Sequence, residues 1–118
     1  MDEIYSKIAG VSFNNTDGSQ RQNHLSILEN QRIPLPLILK PEPENPYDPY
    51  AIAVLSPSGE QLGYLRRSLS YSISQMLEYS YHISVELIEI TGLHEASHNY
   101  GANIRIRFEE PCFDLDSL

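Results

Sequence analysis

The chain has no tryptophan and a single cysteine, Cys112. A lone cysteine excludes an internal disulfide and a cysteine metal cluster, and makes a reducing, cytoplasmic setting the default expectation. No apolar run approaches the length of a membrane span, and no charged-then-apolar opening reads as a signal peptide. Bases are scarce: eight Lys and Arg stand against 16 Asp and Glu, for a net charge of −8. That balance argues against indiscriminate binding to nucleic acid. A phosphate-binding P-loop, a nucleophile elbow and carboxylate clusters with metal-nuclease spacing are all missing, so no enzyme and no cofactor is expected.

What is present suits one globular domain. The 118 residues are 41% hydrophobic, with eight tyrosines and three phenylalanines supplying aromatic surface. The acids are unevenly placed. Asp2, Glu3, Glu109, Glu110, Asp114 and Asp116 lie outside all the bases, and removing those six leaves ten acids against eight bases. A near-neutral body over 1–108 followed by an acidic tail, "EEPCFDLDSL" (109–118), is the resulting division.

Periodicity divides the body into short elements. "IYSKIAGVSF" (4–13) reads as a first strand and 20–29 as a short helix, capped by Asp17 or Ser19, with Leu25 and Leu28 inward. "IPLPLILK" (33–40) reads as a strand whose prolines, Pro34 and Pro36, confine its start to an edge. "AIAVLS" (51–56) and "QLGYL" (61–65), joined by "PSGE", read as a hairpin. Leu69, Ile73, Met76 and Leu77 mark a helix over 68–80 with Ser68 or Ser70 as its cap. "HISVELIEI" (82–90) and "NIRIRF" (103–108) alternate as strands. The order β-α-β-β-β-α-β-β predicts a mainly β protein, a small bent sheet or barrel plugged by two short helices.

One stretch stands out. In "ENPYDPYAIAV" (44–54) Pro46 and Pro49 fix their own φ and push Asn45 and Asp48 toward extended geometry. Tyr47 and Asp48 are thereby set on a stiff corner. On turn habits alone, Tyr47 packs on the fold and Asp48 closes an Asx turn.

"KIAGVSF", "NPYDPYAIAV", "GEQLGYLRR" and "NIRIRF" together resemble the HIRAN domain, over roughly residues 5–108. The resemblance implies a small OB-like barrel and, as in a DNA-binding member of the family, a grip on the free 3′ end of single-stranded DNA in repair or fork processing. It implies roles for Tyr47, stacking on the last base, and Asp48, accepting from the terminal hydroxyl. By matched position it adds Phe13, Tyr64 and Tyr100 as further aromatics of one platform. Arg66 and Arg67 would meet phosphates at the start of the second helix. Where the DNA-binding relative has a basic residue before the first aromatic, this chain has Ser12. The partner so implied is a single-stranded DNA end, with a helicase or nuclease made separately. A second expectation keeps the fold but makes it a protein-interaction adaptor, using the acidic tail or the edge beside Pro34–Pro36.

"HEASH" (94–98) matches the zinc-hydrolase pattern H-E-x-x-H. Zinc catalysis needs both histidines, His94 and His98, on one helical face plus a third ligand. Gly92 before and "NYG" after leave too little chain for such a helix, and the alternating strands on either side indicate a hairpin loop. A catalytic metal is therefore not expected.

Overall fold

A computed structural model describes residues 2–92 and 99–111. The "HEASH" histidines, Cys112 and the rest of the tail from 112 lie outside the described residues. Six strands and two helices occur in the expected order: β1 (Asp2–Ala9), α1 (Arg21–Leu28), β2 (Leu35–Pro41), β3 (Ile52–Leu55), β4 (Gln61–Leu65), α2 (Arg67–Glu78), β5 (His82–Thr91) and β6 (Gly101–Glu109). The strands close into an antiparallel barrel in the order β1-β4-β3-β2-β5-β6, with β6 returning to β1. Closure removes exposed sheet edges and wraps one apolar interior.

The interior follows from strand alternation. Val85 and Leu87 of β5 and Ala102, Ile104 and Ile106 of β6 point inward with Ile8, Ile52, Val54 and Leu62. A register shift between Leu87 and Glu89 changes the phase of β5, so Ile90, not Glu89, packs against the core beyond it. Leu25 and Leu28 of α1 and Ile73 of α2 are buried in the same cluster, with Leu69, Met76 and Leu77 packed beside them. The two helices thus plug the barrel, and their inward faces are those the spacing predicts.

The boundaries differ from expectation in physically readable ways. β1 ends at Ala9 rather than running to Phe13, because Gly10 takes φ 71° and turns the chain. Neither expected helix cap acts as one. Asp17 Oδ1 accepts from the backbone N–H and the hydroxyl of Ser19, so the two close a turn, and Gln20 precedes α1. These two bonds hold the Asp17 carboxyl below its ordinary pKa. The second helix begins at Arg67, with Arg66 in extended geometry before it. Ser70 lies inside that helix, its hydroxyl donating to the carbonyl of Arg67. β2 is not an edge strand, since it pairs with β5 through Leu35–Leu37 and with β3 from Ile38 to Pro41. At Pro36, however, one flank is unpaired, and a residue without an N–H is tolerated there.

Barrel closure between β1 and β4 is the tightest point. A Cβ on Gly63 would lie 2.3 Å from the carbonyl oxygen of Ala9 and 2.6 Å from a methyl of Ile8. Only glycine lets β4 approach β1 this closely, which accounts for the glycine of "LGYL". Gly63→Ala is expected to lower stability by about 1–3 kcal/mol, the usual cost of overpacking. Urea unfolding would read this as a lower midpoint at unchanged slope, and an unchanged midpoint would mean that the seam has room to spare.

Candidate nucleic-acid interface

The proline-rich corner between β2 and β3 overhangs a groove of about 590 Å³. Its walls are Arg21, Lys40, Glu42, Asn45, Tyr47 and Tyr64, with Gln61 and Asn14 at one end. A smaller hollow lined by Asn45, Tyr47, Asp48, Ala51 and Tyr64 adjoins it. The sheet and the corner together bring Tyr47, Asp48 and Tyr64 to one place, as the resemblance implies.

The corner is built by one asparagine. Asn45 Oδ1 accepts from the backbone N–H of Tyr47 at 2.9 Å and of Asp48 at 3.2 Å. Its Nδ2 donates to Glu42 Oε1 at 3.0 Å. Asp48 Oδ1 accepts from the N–H of Tyr50 at 2.9 Å, closing the Asx turn that turn habits predict. The other carboxylate oxygen faces Arg67, with Oδ2 3.6 Å from Nε. Asp48 is mostly sheltered, its side chain 18% exposed, whereas that of Arg67 is 79% exposed. Tyr47 does not pack on the barrel: it is 88% exposed, its ring presented to solvent at the groove lip.

Tyr64 forms the floor. Its hydroxyl donates to Glu42 Oε1 at 2.8 Å. Burial, followed by the bond to the Glu42 carboxylate and its charge, raises the phenol above the ordinary tyrosine pKa, against opposing contributions from Gln61 and Arg21. The phenol therefore stays a donor across the neutral range. Beneath it lies a residue that the sequence reading did not single out. Arg21 is only 7% exposed, with its guanidinium carbon 5.3 Å from the centre of the Tyr64 ring. Its Nε donates to Asn15 Oδ1 and its Nη1 to the carbonyl of Gly10, both at 2.8 Å. A signal was available, since Arg21, Leu25 and Leu28 share the inward stripe of α1, and an arginine on such a stripe asks for an explanation.

Of the other residues expected at the site, Phe13 lies beside the Arg21 end of the groove, its ring and the Arg21 guanidinium both standing next to Gly10. Phe13 is 68% exposed on the loop after β1, its backbone N–H bonded to Gly10, and its neighbour Asn14 lines the groove. Tyr100 is half-buried against the core, its backbone N–H and carbonyl both held by the Gln22 side chain. Arg66 and Arg67 diverge. Arg67 turns to Asp48, while Arg66 lines a separate hollow with Tyr5, Lys7 and Asn103. Arg105 and Arg107 are tied into ion pairs with Glu86 and Glu3 on the barrel's outer wall.

A serine–histidine contact nearby has the polarity opposite to that of a nucleophile. Ser19 Oγ lies 2.9 Å from His24 Nε2, and His24 Nδ1 lies 3.9 Å from Glu60. The single hydroxyl hydrogen of Ser19 already goes to Asp17 at 2.6 Å, so the imidazole must donate to the serine and is no base toward it. Among the described residues no group of three or more His, Cys, Asp or Glu is placed to hold a metal, and no helix is long and apolar enough to cross a membrane.

A six-stranded barrel with a rigid corner above an aromatic-floored groove is the class of protein that the geometry defines. The family model of the HIRAN domain matches residues 2–109, so the chain belongs to the HIRAN domain family. Two solved structures share the fold. The HIRAN domain of human HLTF is 18% identical with a TM-score of 0.64, the match covering 90% of this chain and 74% of that one. A protein from Lactobacillus plantarum is 15% identical with a TM-score of 0.56, covering 90% and 99% respectively. At these identities the likeness carries the fold alone. No curated protein matches the sequence.

The corner and floor make separable contributions. Asn45→Ala removes the shared anchor of Tyr47, Asp48 and Glu42 and is expected to cost roughly 1–2 kcal/mol of stability, read by urea unfolding. The raised Tyr64 pKa gives stability that is complete below the ordinary tyrosine range and lost as pH rises through the folded-state value. Ultraviolet titration should show one tyrosine ionising late, and that component should vanish in Tyr64→Phe.

Proposed function

We propose that this groove binds the end of a single-stranded nucleic acid, DNA with a free 3′-hydroxyl being the preferred ligand, without catalysing a reaction on it. Membership of the HIRAN domain family supports nucleic-acid binding in general terms. The finer reading rests chiefly on one observation: an almost fully exposed tyrosine, Tyr47, held on a rigid corner directly beside the sheltered carboxylate of Asp48. A tyrosine whose backbone is already held loses less freedom when a base stacks on it, and such stacking contributes about 1–3 kcal/mol. Asp48 Oδ1 is committed to the turn, but Oδ2 retains acceptor capacity toward a hydroxyl. Arg67 beside it offsets the charge that would otherwise repel the phosphate one nucleotide away. A terminal hydroxyl suits this carboxylate, whereas a terminal phosphate would meet Asp48 and Glu42 together. The expected setting is repair or fork processing alongside a separate helicase or nuclease.

Fluorescence polarisation with three short probes tests the reading: a single strand ending in a 3′-hydroxyl, the same strand ending in a 3′-phosphate, and a blunt duplex. The first should bind best. Tyr47→Ala should weaken it by about 1–3 kcal/mol, and Asp48→Ala should erase the preference over the 3′-phosphate. Equal binding of all three probes, or none at low salt, would refute the assignment.

A further inference from the structure

We infer that Arg21 holds a phosphate of the bound strand, its guanidinium forming the anion-binding end of the groove. This deepens the strand-end reading above and rests on it. Arg21 as a residue is more than nine-tenths buried, yet among the described residues no carboxylate stands within ion-pair distance of its guanidinium. Buried cations normally have a carboxylate partner or coordinate an anion. Two of its nitrogens are used, Nε by Asn15 and Nη1 by Gly10. The third, Nη2, makes no hydrogen bond among the described residues. No buried polar side-chain atom of those residues lacks a partner, so Nη2 keeps contact with solvent. Arg21 lines the groove, the open space through which a phosphate would reach that nitrogen.

The surroundings suit one phosphodiester group. Lys40 adds a second cation to the groove wall, and the side chains of Asn14, Thr16 and Gln61 supply neutral polar groups. The carboxylates, Glu42 and Glu44, line the same groove. Glu42 is occupied by Tyr64 and Asn45, which draws its charge toward the corner and away from Arg21. A groove with cations and carboxylates in equal number does not collect anions at large. It selects a ligand carrying one phosphate and, a nucleotide away, a hydroxyl. The guanidinium of Arg21, fixed by two bonds and the Tyr64 ring, is pre-organised to offer Nη2 to a phosphate oxygen.

A purely packing role for Arg21 is separated from this by changing the ligand's charge. Tetrathymidylates with a free 3′-hydroxyl are made with each linkage replaced in turn by an uncharged methylphosphonate. Wild-type protein should lose affinity at one linkage by roughly 10- to 150-fold, the range of a charge-assisted contact. In Arg21→Gln that linkage should become no more sensitive than the others, and Arg21→Lys should keep part of the sensitivity. The slope of log affinity against log salt should fall by about 0.7 in Arg21→Gln. Uniform weakening in Arg21→Gln with the sensitive linkage still sensitive would make Arg21 a packing residue only and overturn the inference. So would wild-type binding that is indifferent to every replacement, while leaving the strand-end reading intact. Should circular dichroism show Arg21→Gln unfolded, the wild-type scan and Arg21→Lys decide alone. Failure of the wild type to bind any of these strands would overturn both readings.

Discussion

A buried guanidinium with no carboxylate beside it among the described residues sets the conditions for this structure. Arg21 enters the barrel on the apolar stripe of α1, where leucine would be the ordinary occupant. Taking a cation out of water is tolerable only if its donors and its π face are matched. For Nη1, Nε and the π face the match comes from three places at once: the carbonyl of Gly10 where β1 turns away, the amide oxygen of Asn15, and the ring of Tyr64 on β4. Asn15 in turn donates to the carbonyl of Gln61, so the loop after β1 is pinned to the strand that carries Tyr64. The turn at the end of β1, the course of that loop and the groove floor are tied together through one side chain.

From that floor the contacts run unbroken to the second helix. The Tyr64 hydroxyl meets Glu42, Glu42 meets Asn45, Asn45 fixes the backbone of Tyr47 and Asp48, and Asp48 faces Arg67 at the first turn of α2. Every bond in this relay is polar and partly screened, so none contributes much alone. Their effect is positional. Pro46 and Pro49 restrict the backbone and Asn45 restricts it further, leaving Tyr47 largely in solvent at the groove lip. An aromatic ring exposed to this degree contributes little to the stability of the fold.

Much of this was legible in the sequence. The alternation of "NIRIRF" and the 69-73-76-77 spacing fixed strands and helix faces because burial in a closed barrel is all-or-none across a pleat. The corner was legible because proline acts locally. Both turn residues were read in part: Asp48 does close an Asx turn, whereas Tyr47 does not pack on the barrel. The first helix cap is not legible because Asp17 and Ser19 bond each other, a competition that no cap preference resolves, and the second helix starts one residue before Ser68. Matched position groups Phe13 and Tyr100 with the corner, and a place just before the second helix adds Arg66. Their neighbourhoods depend on loop courses that spacing does not encode. Arg21 was overlooked because a charge next to a helix start reads as solvated, and only its register with Leu25 and Leu28 argues otherwise.

The acidity of the chain bears on the site less than its total suggests. Asp2 and Glu3 are strand residues, and Glu3 is paired with Arg107. Glu86 accepts from Arg105 and stands 3.6 Å from Arg107, so the outer wall of β1, β5 and β6 is a neutralised ladder. The Glu3 carboxyl is held below its ordinary range, by the Tyr5 hydroxyl first and by Arg107 next. Charges compensated there cancel at a distance comparable to a Debye length and cast little field on the opposite face. What a ligand meets at the groove is the local set: Arg21, Lys40 and Arg67 against Glu42, Glu44 and Asp48. In a set so evenly balanced, net charge supplies no attraction, and recognition falls to the order in which cation, ring and carboxylate are presented. A protein of net charge −8 is thereby compatible with a nucleic-acid ligand, provided that the ligand is an end and not a length of backbone.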